Sequence, residues 1–285
     1  MARFLPTGLT VKNVRHAAGT DAMSALTVIL QDYEVSNPER RAEYNACLKA
    51  NLDHPTVTRV LNCCEHGFRN PSFAEHPKMR MHPLDHRMTF ADAVRVSNEH
   101  TEPDSVVVLV NLDIFLTWFG WTDRVDTVLP SQTKIALCLG RHESTIHGRL
   151  ELEPRLAELA HANAQDAWAW RSPLAVENAD FVLGCTGCDN AFADRLRKAG
   201  RIPRNYMFTM KVGHLDVSAR DAPYRRRASN AIDERPEQHG SYLVPATDAP
   251  GGPRRVIDVL VAALEPSIQE DLAMSLYNAF VRIKN

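Results

Sequence analysis

The chain has 285 residues, a formal net charge of −2 and a hydrophobic fraction of 44%. This length can bury a substantial core and fits one large α/β domain with an appendage. The near-neutral charge gives no general electrostatic reason to bind nucleic acid, and no apolar run in the sequence approaches the roughly 20 residues that cross a bilayer. The N-terminus also lacks a signal-peptide pattern, so we expect a cytoplasmic protein.

Composition divides the sequence into four parts. Residues 1–24 show no clear period and are predicted to be an irregular lead-in, whereas residues 25–224 alternate apolar runs with helical patterns and form the main predicted domain. Residues 225–255 are poor in apolar residues and rich in Arg, Pro and Gly, which predicts a flexible linker. Residues 256–285 have helical spacing broken at Pro266, so we expect two helices that pack on the domain or mediate homo-oligomerisation.

The main domain begins with a predicted β-α-β unit. Residues 25–30 form a short β-branched run, Asn37 and Pro38 are the expected N-cap and first residue of a helix, and residues 58–65 form a second strand. Parallel pairing is the default for such a unit. The charged residues of the helix are expected to face solvent: Arg40, Arg41, Glu43 and Lys49.

The next part contains a long loop and the central strand. Residues 66–87 have no apolar period and are predicted to be a surface loop; no metal-ligand spacing frames their histidines, which disfavours structural zinc. Thr89 and Asp92 form a capping-box pattern that starts a helix to about residue 98. Residues 106–110 are five consecutive apolar residues, which predicts a strand covered on both faces, typical of a parallel sheet.

The second half of the domain is predicted to contain strands at residues 134–140, 180–184 and 206–212, and a helix at residues 191–199 that ends at Gly200. A polar, helix-compatible stretch fills the interval between the first two strands and runs to Trp170. This alternation of strands and helices predicts an α/β domain.

The six cysteines lie mostly in apolar stretches, where a reduced thiol behaves as a small hydrophobic group, so we expect no disulfide framework. Cys185 and Cys188 have Cys-x-x-Cys spacing, which leaves a redox pair, or half of a zinc site with Cys63 and Cys64, as less favoured alternatives.

Polar side chains follow several of the predicted strands. In open α/β sheets, ligands bind outside the carboxyl ends of the strands. The residues found there are Glu65, Asn111, Asp113, Arg141, Glu143, Asp189 and His214. Together these acids, the amide and the histidine suit a divalent cation that binds a diphosphate.

In its motifs and their order, the chain resembles GT-A-type nucleotide-diphospho-sugar glycosyltransferases, in particular a little-characterised set of such domains. The resemblance spans about residues 26–220 and rests on five segments: residues 37–40 (NPER), 111–115 (NLDIF), 165–168 (QDAW), 187–190 (GCDN) and 213–220 (GHLDVSAR). It implies a GT-A-like (Rossmann-like), mixed and mostly parallel sheet flanked by helices, with a C-terminal helical extension. The main domain would then be the catalytic domain.

The resemblance also implies a metal site. Asn111 and Asp113 match the Asp-x-Asp motif, whose carboxylates hold Mn²⁺ or Mg²⁺ against the donor diphosphate. Here the first acid is an amide, which can bind the cation or the ribose through its oxygen but carries no charge, so Asp113 is the main expected ligand. His214 matches the histidine that completes the metal shell in many such enzymes, and Arg220 is expected near the phosphates.

The donor and acceptor positions follow from the same resemblance. Asp189 matches the acid that takes the proton of the acceptor hydroxyl in inverting members, and Asp166 is its rival for that role. Asp189 also lies at a helix start, where an acid commonly caps the helix. The base and ribose of the donor, for which a UDP-sugar is favoured, are expected to contact four residues: Gln31, Asp32, Tyr33 and Glu65.

The implied function is metal-dependent transfer of a hexosyl or pentosyl group to an acceptor hydroxyl. A nucleotidyltransferase and a catalytically inactive binding or scaffold module remain alternatives. Trp168 and Trp170 are expected to pack in the core or the acceptor wall rather than stack on a sugar. The acceptor stays open: residues 225–227 are three consecutive arginines that allow a phosphate-bearing polymer, including a modified nucleic acid, although a basic linker is more often simply solvated.

Overall fold

The structure is a computed structural model that describes residues 24–144, 150–151, 165–216, 240–244, 246 and 248. The predicted lead-in, most of the predicted linker, the predicted C-terminal helices and Arg220 lie outside the described residues. Within the described ranges, no helix has the length and apolar character needed to cross a membrane.

The described elements alternate strands and helices, as expected for an α/β protein. In chain order they are β1 (Leu26–Leu30), α1 (Pro38–Asp53), β2 (Val57–Asn62), β3 (Met79–Met81), α2 (Phe90–His100), β4 (Val106–Val110), β5 (Ile114–Leu116), α3 (Trp118–Trp121), α4 (Val125–Val128), β6 (Ile135–Leu139), β7 (His142–Ser144), β8 (Leu150–Glu151), β9 (Ala167–Arg171), α5 (Cys188–Lys198), β10 (Ile202–Arg204) and β11 (Val212–His214).

Seven strands form the main sheet, in the order β10-β6-β9-β4-β1-β2-β3. Every residue of β1 and β4 is buried, as the apolar sequences of these strands predict. All neighbouring strands pair in parallel except β9, which runs antiparallel to both β4 and β6. The predicted mixed, mostly parallel sheet flanked by helices is therefore confirmed.

A second, four-stranded sheet has the order β5-β11-β7-β8. Its strands β5 and β7 begin within a few residues of the carboxyl ends of β4 and β6. We call the boundary between the two sheets the rim. It is the edge where the sequence predicted ligand-binding side chains.

Local signals in the sequence correctly located several helix ends. The side chain of Asn37 accepts hydrogen bonds from the backbone N–H groups of residues 39 and 40 and caps α1, while Thr89 and Asp92 form a complete capping box on α2. Gly200 follows α5 with a φ of +75°, as expected of a residue that ends a helix in the left-handed region.

The stretch that ends at Trp170 was predicted to be helix-compatible, but its last four residues, 167–170, belong to strand β9, so the prediction was wrong there. Trp168 and Trp170 are fully buried on one face of the sheet, where Trp168 packs edge-on against Phe90 of α2 with ring centroids 5.0 Å apart. The expectation that these tryptophans pack in the core is confirmed.

Two other predicted strands were wrong. At residues 180–184 only Val182 forms a bridge, because backbone carbonyls of residues 179 and 181 accept hydrogen bonds from the first N–H groups of α2. At residues 206–212 the chain first makes a turn, in which residues 209 and 210 donate to the carbonyl of Tyr206, and strand β11 begins only at Val212.

Candidate active site

The rim brings Asp113 and His214 together although they are distant in sequence. Asp113 lies in the turn between β4 and β5, and His214 is the last residue of β11, which pairs with β5. The backbone N–H of Leu215 donates to the carbonyl of Asp113 at 3.0 Å, which fixes the two chain segments side by side. As a result, the imidazole Nε2 of His214 lies 3.4 Å from the carboxylate Oδ2 of Asp113.

Gly213 allows this close approach. A Cβ atom at this position would overlap the aromatic ring of Phe115 on the neighbouring strand β5. Because glycine has no side chain, β11 can lie at hydrogen-bonding distance from β5 and carry His214 to the rim.

His214 lies between two carboxylates. Its second nitrogen, Nδ1, is 2.7 Å from Oε2 of Glu143 on β7. Burial alone would lower the pKa of His214, but the hydrogen bonds to Asp113 and Glu143 outweigh burial and raise that pKa to about 9. The same contacts, with the charges of neighbouring arginines, overcome burial and lower the pKa values of Asp113 and Glu143 to about 2. An imidazolium held between two carboxylates is therefore the stable arrangement at neutral pH.

Arg40, in the first turn of α1, binds the same cluster from the other side. Its guanidinium group donates to Asp113 at 2.6 Å, to Asp216 at 2.7 Å and to Glu43 at 2.8 Å. The sequence-based prediction that Arg40 and Glu43 face solvent was wrong: both are buried, and their ion pairs compensate the loss of hydration.

Arg141 extends the cluster to Asp166. Its guanidinium group donates to Glu143 at 2.9 Å and to Asp166 at 2.8 Å. The amide nitrogen of Asn111 donates to the other oxygen of Asp166 at 2.9 Å. Asp166 reaches the rim because it immediately precedes β9, whose antiparallel direction brings its N-terminal end to the carboxyl end of β4. Each carboxylate oxygen of Asp166 therefore accepts a hydrogen bond, one from Arg141 and the other from Asn111.

Asp189 lies near Asp166, in the first turn of α5. Gly187, with a φ of +80°, precedes the helix and lets the chain turn into it. Burial and the charge of Asp166 raise the pKa of Asp189 above the usual range of a carboxyl group. Its carboxylate accepts hydrogen bonds from the thiol of Cys188 at 3.1 Å and from the backbone N–H of Gln165. The two candidate catalytic acids are therefore neighbours with different hydrogen-bond partners.

The loop after β1 holds the residues predicted to contact the nucleotide. Asp32 is fully buried and accepts hydrogen bonds from Arg41 at 2.7 Å and from Asn70 at 2.9 Å. The hydroxyl of Tyr33 contacts that of Tyr44 at 2.7 Å. These contacts hold the loop against α1 and fix its conformation.

The two remaining predicted nucleotide contacts, Gln31 and Glu65, flank this loop. Both ends of the Gln31 amide contact backbone, donating to the carbonyl of His86 at 3.3 Å and accepting from the N–H of Met88 at 2.9 Å. Glu65 is joined to the loop by its backbone N–H, which donates to the carbonyl of Asp32 at 3.0 Å, and its side chain is partly exposed. Gln31 thus fixes the course of the chain at residues 86–88.

Acidic side chains outnumber cationic ones among the described residues of the ion-paired cluster. Three cationic side chains, Arg40, Arg141 and His214, contact five carboxylates there. The carboxylates belong to Glu43, Asp113, Glu143, Asp166 and Asp216.

A divalent cation fits this cluster by charge and by donor chemistry, since carboxylate and imidazole both bind manganese. Within the described ranges, however, no three His, Cys, Asp or Glu side chains already surround one point in the manner of a metal site. The guanidinium group of Arg40 bridges two of these carboxylates, Asp113 and Asp216.

All six cysteines are free and buried. Burial raises the pKa values of Cys63 and Cys138, as expected for thiols that serve as core hydrophobic groups.

No protein-family model matches the sequence, and neither does any curated protein. The solved structures do contain similar folds. One is the mannosyltransferase PcManGT from Pyrobaculum calidifontis in complex with GDP-Man and Mn²⁺, which matches with a TM-score of 0.50 and 14% identity over 92% of this chain and 75% of that one. The fold of this chain is GT-A-like. A second structure, GalNAc-T7 with UDP, GalNAc and Mn²⁺, has a TM-score of 0.46 and 8% identity, covering 69% of this chain and 44% of that one. The chain therefore spans less than half the length of GalNAc-T7.

Proposed function

We propose that the protein is a glycosyltransferase that moves a sugar from a nucleotide-diphospho-sugar to an acceptor hydroxyl, with Mn²⁺ or Mg²⁺ bound at the rim. The observation that carries this proposal is the 3.4 Å approach of His214 to Asp113 on a GT-A-like fold. These are the two side chains that the family resemblance assigned to the metal.

In this proposal Asp113 and His214 hold the metal, and Asn111 offers its carboxamide oxygen to the metal or the ribose. Bound there, the cation would supply charge for the departing nucleoside diphosphate. The number of acids in the described part of the cluster supports this role, because carboxylate oxygens attract a divalent cation and a diphosphate adds further negative charge. His214 can bind a metal through Nε2 only after that nitrogen releases its proton.

Asp189 is our first choice for the catalytic base and Asp166 the second. A base works best when its pKa lies near the operating pH, and the raised pKa of Asp189 moves it in that direction. Asp166, by contrast, is tied to Arg141 and Asn111, which suits a residue that positions others.

The donor nucleotide is proposed to bind along the loop of Gln31, Asp32 and Tyr33, with Glu65 beside it and Arg220 near the phosphates. A UDP-sugar was favoured by the resemblance, while the complex of PcManGT with GDP-Man adds GDP-sugars as candidates. A phosphate-bearing acceptor and a homo-oligomer through the C-terminal segment remain part of the proposal.

Two other functions are weaker. A nucleotidyltransferase usually has a glycine-rich, basic first loop, and residues 30–37 contain neither glycine nor a basic residue. A catalytically inactive module is favoured only by Asn111, which replaces a charged ligand.

Metal-dependent binding and hydrolysis of a panel of UDP- and GDP-sugars test the proposal. We expect the wild type to bind at least one donor in the presence of Mn²⁺ and to hydrolyse it slowly. Asp113→Ala should lower the hydrolysis rate by about 100-fold or more, because it removes the main metal ligand. Asp53→Ala, which removes an exposed carboxylate from α1, is the control and should leave the rate unchanged. If no donor binds with or without metal, the inactive module becomes the better interpretation.

A further inference from the structure

The guanidinium group of Arg40 contacts two carboxylates that a cation bound at the rim would also use. This group is 2.6 Å from Asp113 and 2.7 Å from Asp216, so it bridges these two carboxylates of the rim cluster. The third partner, Glu43, lies one turn along α1 at 2.8 Å. The side chain of Arg40 is buried and lies over the ring of Tyr44, with Cζ 4.7 Å from the ring centroid.

The start of α1 holds Arg40 in this position. Asn37 caps the helix through the N–H groups of residues 39 and 40, so the backbone of Arg40 is fixed at the helix start. A buried guanidinium group is stable only when carboxylates neutralise it. Arg40 therefore needs Glu43, Asp113 and Asp216 or an anion that replaces them.

A divalent cation and Arg40 cannot both contact the same oxygen of Asp113, because like charges at contact distance repel strongly in a partly buried site. If the cation takes Asp113, the guanidinium group loses one of its carboxylates. A diphosphate is a suitable replacement, since a planar guanidinium group binds phosphate oxygens in pairs.

We propose that Arg40 competes with the divalent cation for Asp113 and Asp216, and that a nucleoside diphosphate relieves this competition by accepting the hydrogen bonds of Arg40. This inference rests on the proposed function. It makes metal and nucleotide binding mutually dependent: each ligand strengthens the binding of the other by the same factor.

The first test measures Mn²⁺ affinity by titration calorimetry without nucleotide. In the double variant Arg40→Gln/Glu43→Gln, the competing cation and its buried partner are removed together, so the net charge is unchanged. We expect its Mn²⁺ dissociation constant to fall by about 10-fold or more relative to wild type, because Asp113 and Asp216 are released. The matched control is Arg95→Gln/Glu99→Gln, which removes an exposed ion pair from α2 and should not change the affinity. An unchanged or weaker Mn²⁺ affinity in the Arg40 double variant overturns the inference.

A second variant keeps the test valid if the double variant does not fold. Arg40→Lys retains the charge but replaces the planar fork by a single ammonium group, which holds two carboxylates less well. We expect a smaller gain in Mn²⁺ affinity, on the order of 3-fold. No gain in a folded Arg40→Lys protein also contradicts competition.

The second measurement is the coupling between Mn²⁺ and a nucleoside diphosphate, with UDP and GDP as probes. In wild type we expect UDP or GDP to tighten Mn²⁺ binding by about 10-fold or more. In Arg40→Gln/Glu43→Gln we expect the same nucleotide to tighten Mn²⁺ binding by a smaller factor. Equal coupling in both proteins refutes the role of Arg40. The proposed function fails by a different result, namely if no nucleotide-sugar binds the wild type with any metal. In that case the Mn²⁺ titrations without nucleotide still decide whether Arg40 competes with the cation.

Discussion

Strand β9 has an ion cluster at each end, and the two clusters differ in how exposed their acids are. At its C-terminal end, Arg171 donates to the backbone carbonyls of Leu129 and Asp104 and pairs with Asp126 at 2.7 Å. The acids at this end are well exposed, with 48% of the Asp126 side chain and 38% of the Asp104 side chain accessible. Water can therefore solvate them, and the buried arginine is satisfied by backbone and carboxylate together.

At the N-terminal end of β9, Asp166 belongs to the rim cluster. The five carboxylates there are between 6% and 33% exposed, and the described cations that contact them are Arg40, Arg141 and His214. Acids with so little solvent contact depend on the positive groups beside them. The comparison teaches that the burial of the acids, rather than the presence of ion pairs, distinguishes the two ends.

The largest effect is expected from Asp189→Asn, which removes the proposed base near the N-terminal end of β9. We expect glycosyl transfer to fall by about 100-fold or more, with donor and metal affinity retained. In wild type the activity should rise with pH as Asp189 loses its proton, because the pKa of this group is raised.

Stability separates a catalytic from a structural role for Asp189. A carboxyl group whose pKa is raised by folding makes the protein less stable as the pH increases, because the group releases its proton more readily in the unfolded state. Asp189→Asn should therefore be at least as stable as wild type at neutral pH, as measured by denaturant unfolding. A strongly destabilised variant would instead assign Asp189 to the structure. Asp123→Asn, on the surface, serves as the control.

The second effect concerns the C-terminal end of β9. Arg171→Met should lower the free energy of unfolding by about 3 kcal/mol, because two backbone carbonyls lose a charged donor. Arg124→Met, which breaks an exposed pair with Asp123, should cost less than about 0.5 kcal/mol. In the folded fraction, Mn²⁺ affinity of Arg171→Met should equal that of wild type. A change in metal binding would break the division between the two ends.

The smallest effect is a change of stability with pH in chelator-treated protein. Because the pKa of His214 is raised to about 9 from the usual value of about 6.5 in the unfolded chain, its stabilisation is fully present below pH 6.5 and is lost as the pH rises through 9. We expect the free energy of unfolding to fall by an amount on the order of 2 kcal/mol across this range, as measured by urea unfolding at several pH values. His214→Gln should flatten this part of the curve. If wild type and variant curves stay parallel, the imidazolium does not bridge Asp113 and Glu143 in solution.

Much of the main sheet could be predicted from local pattern. The apolar runs of β1 and β4, the cap at Asn37 and the capping box at Thr89 depend on residues close in sequence, where intrinsic preferences act directly. The approach of Asp113 to His214 was anticipated from the family resemblance, because carboxyl ends of strands meet at one edge.

Other features depend on contacts that no local pattern reports. The sequence Ala-Trp-Ala-Trp does not specify the direction of β9, yet its antiparallel course is what brings Asp166 to the rim. Arg40 and Glu43 were predicted to be solvated because charged residues usually are, and their burial becomes favourable only through Asp113 and Asp216, far along the chain. Spacing within a helix cannot reveal partners of this kind.

Gly213 has a wider consequence for the rim. The ring of Phe115 fills the space that a Cβ atom at residue 213 would take. A methyl group added at this position would press on that ring, so the ring or one of the two strands would have to move. Because His214 follows directly in β11, such a shift would move it relative to Asp113 without altering either side chain.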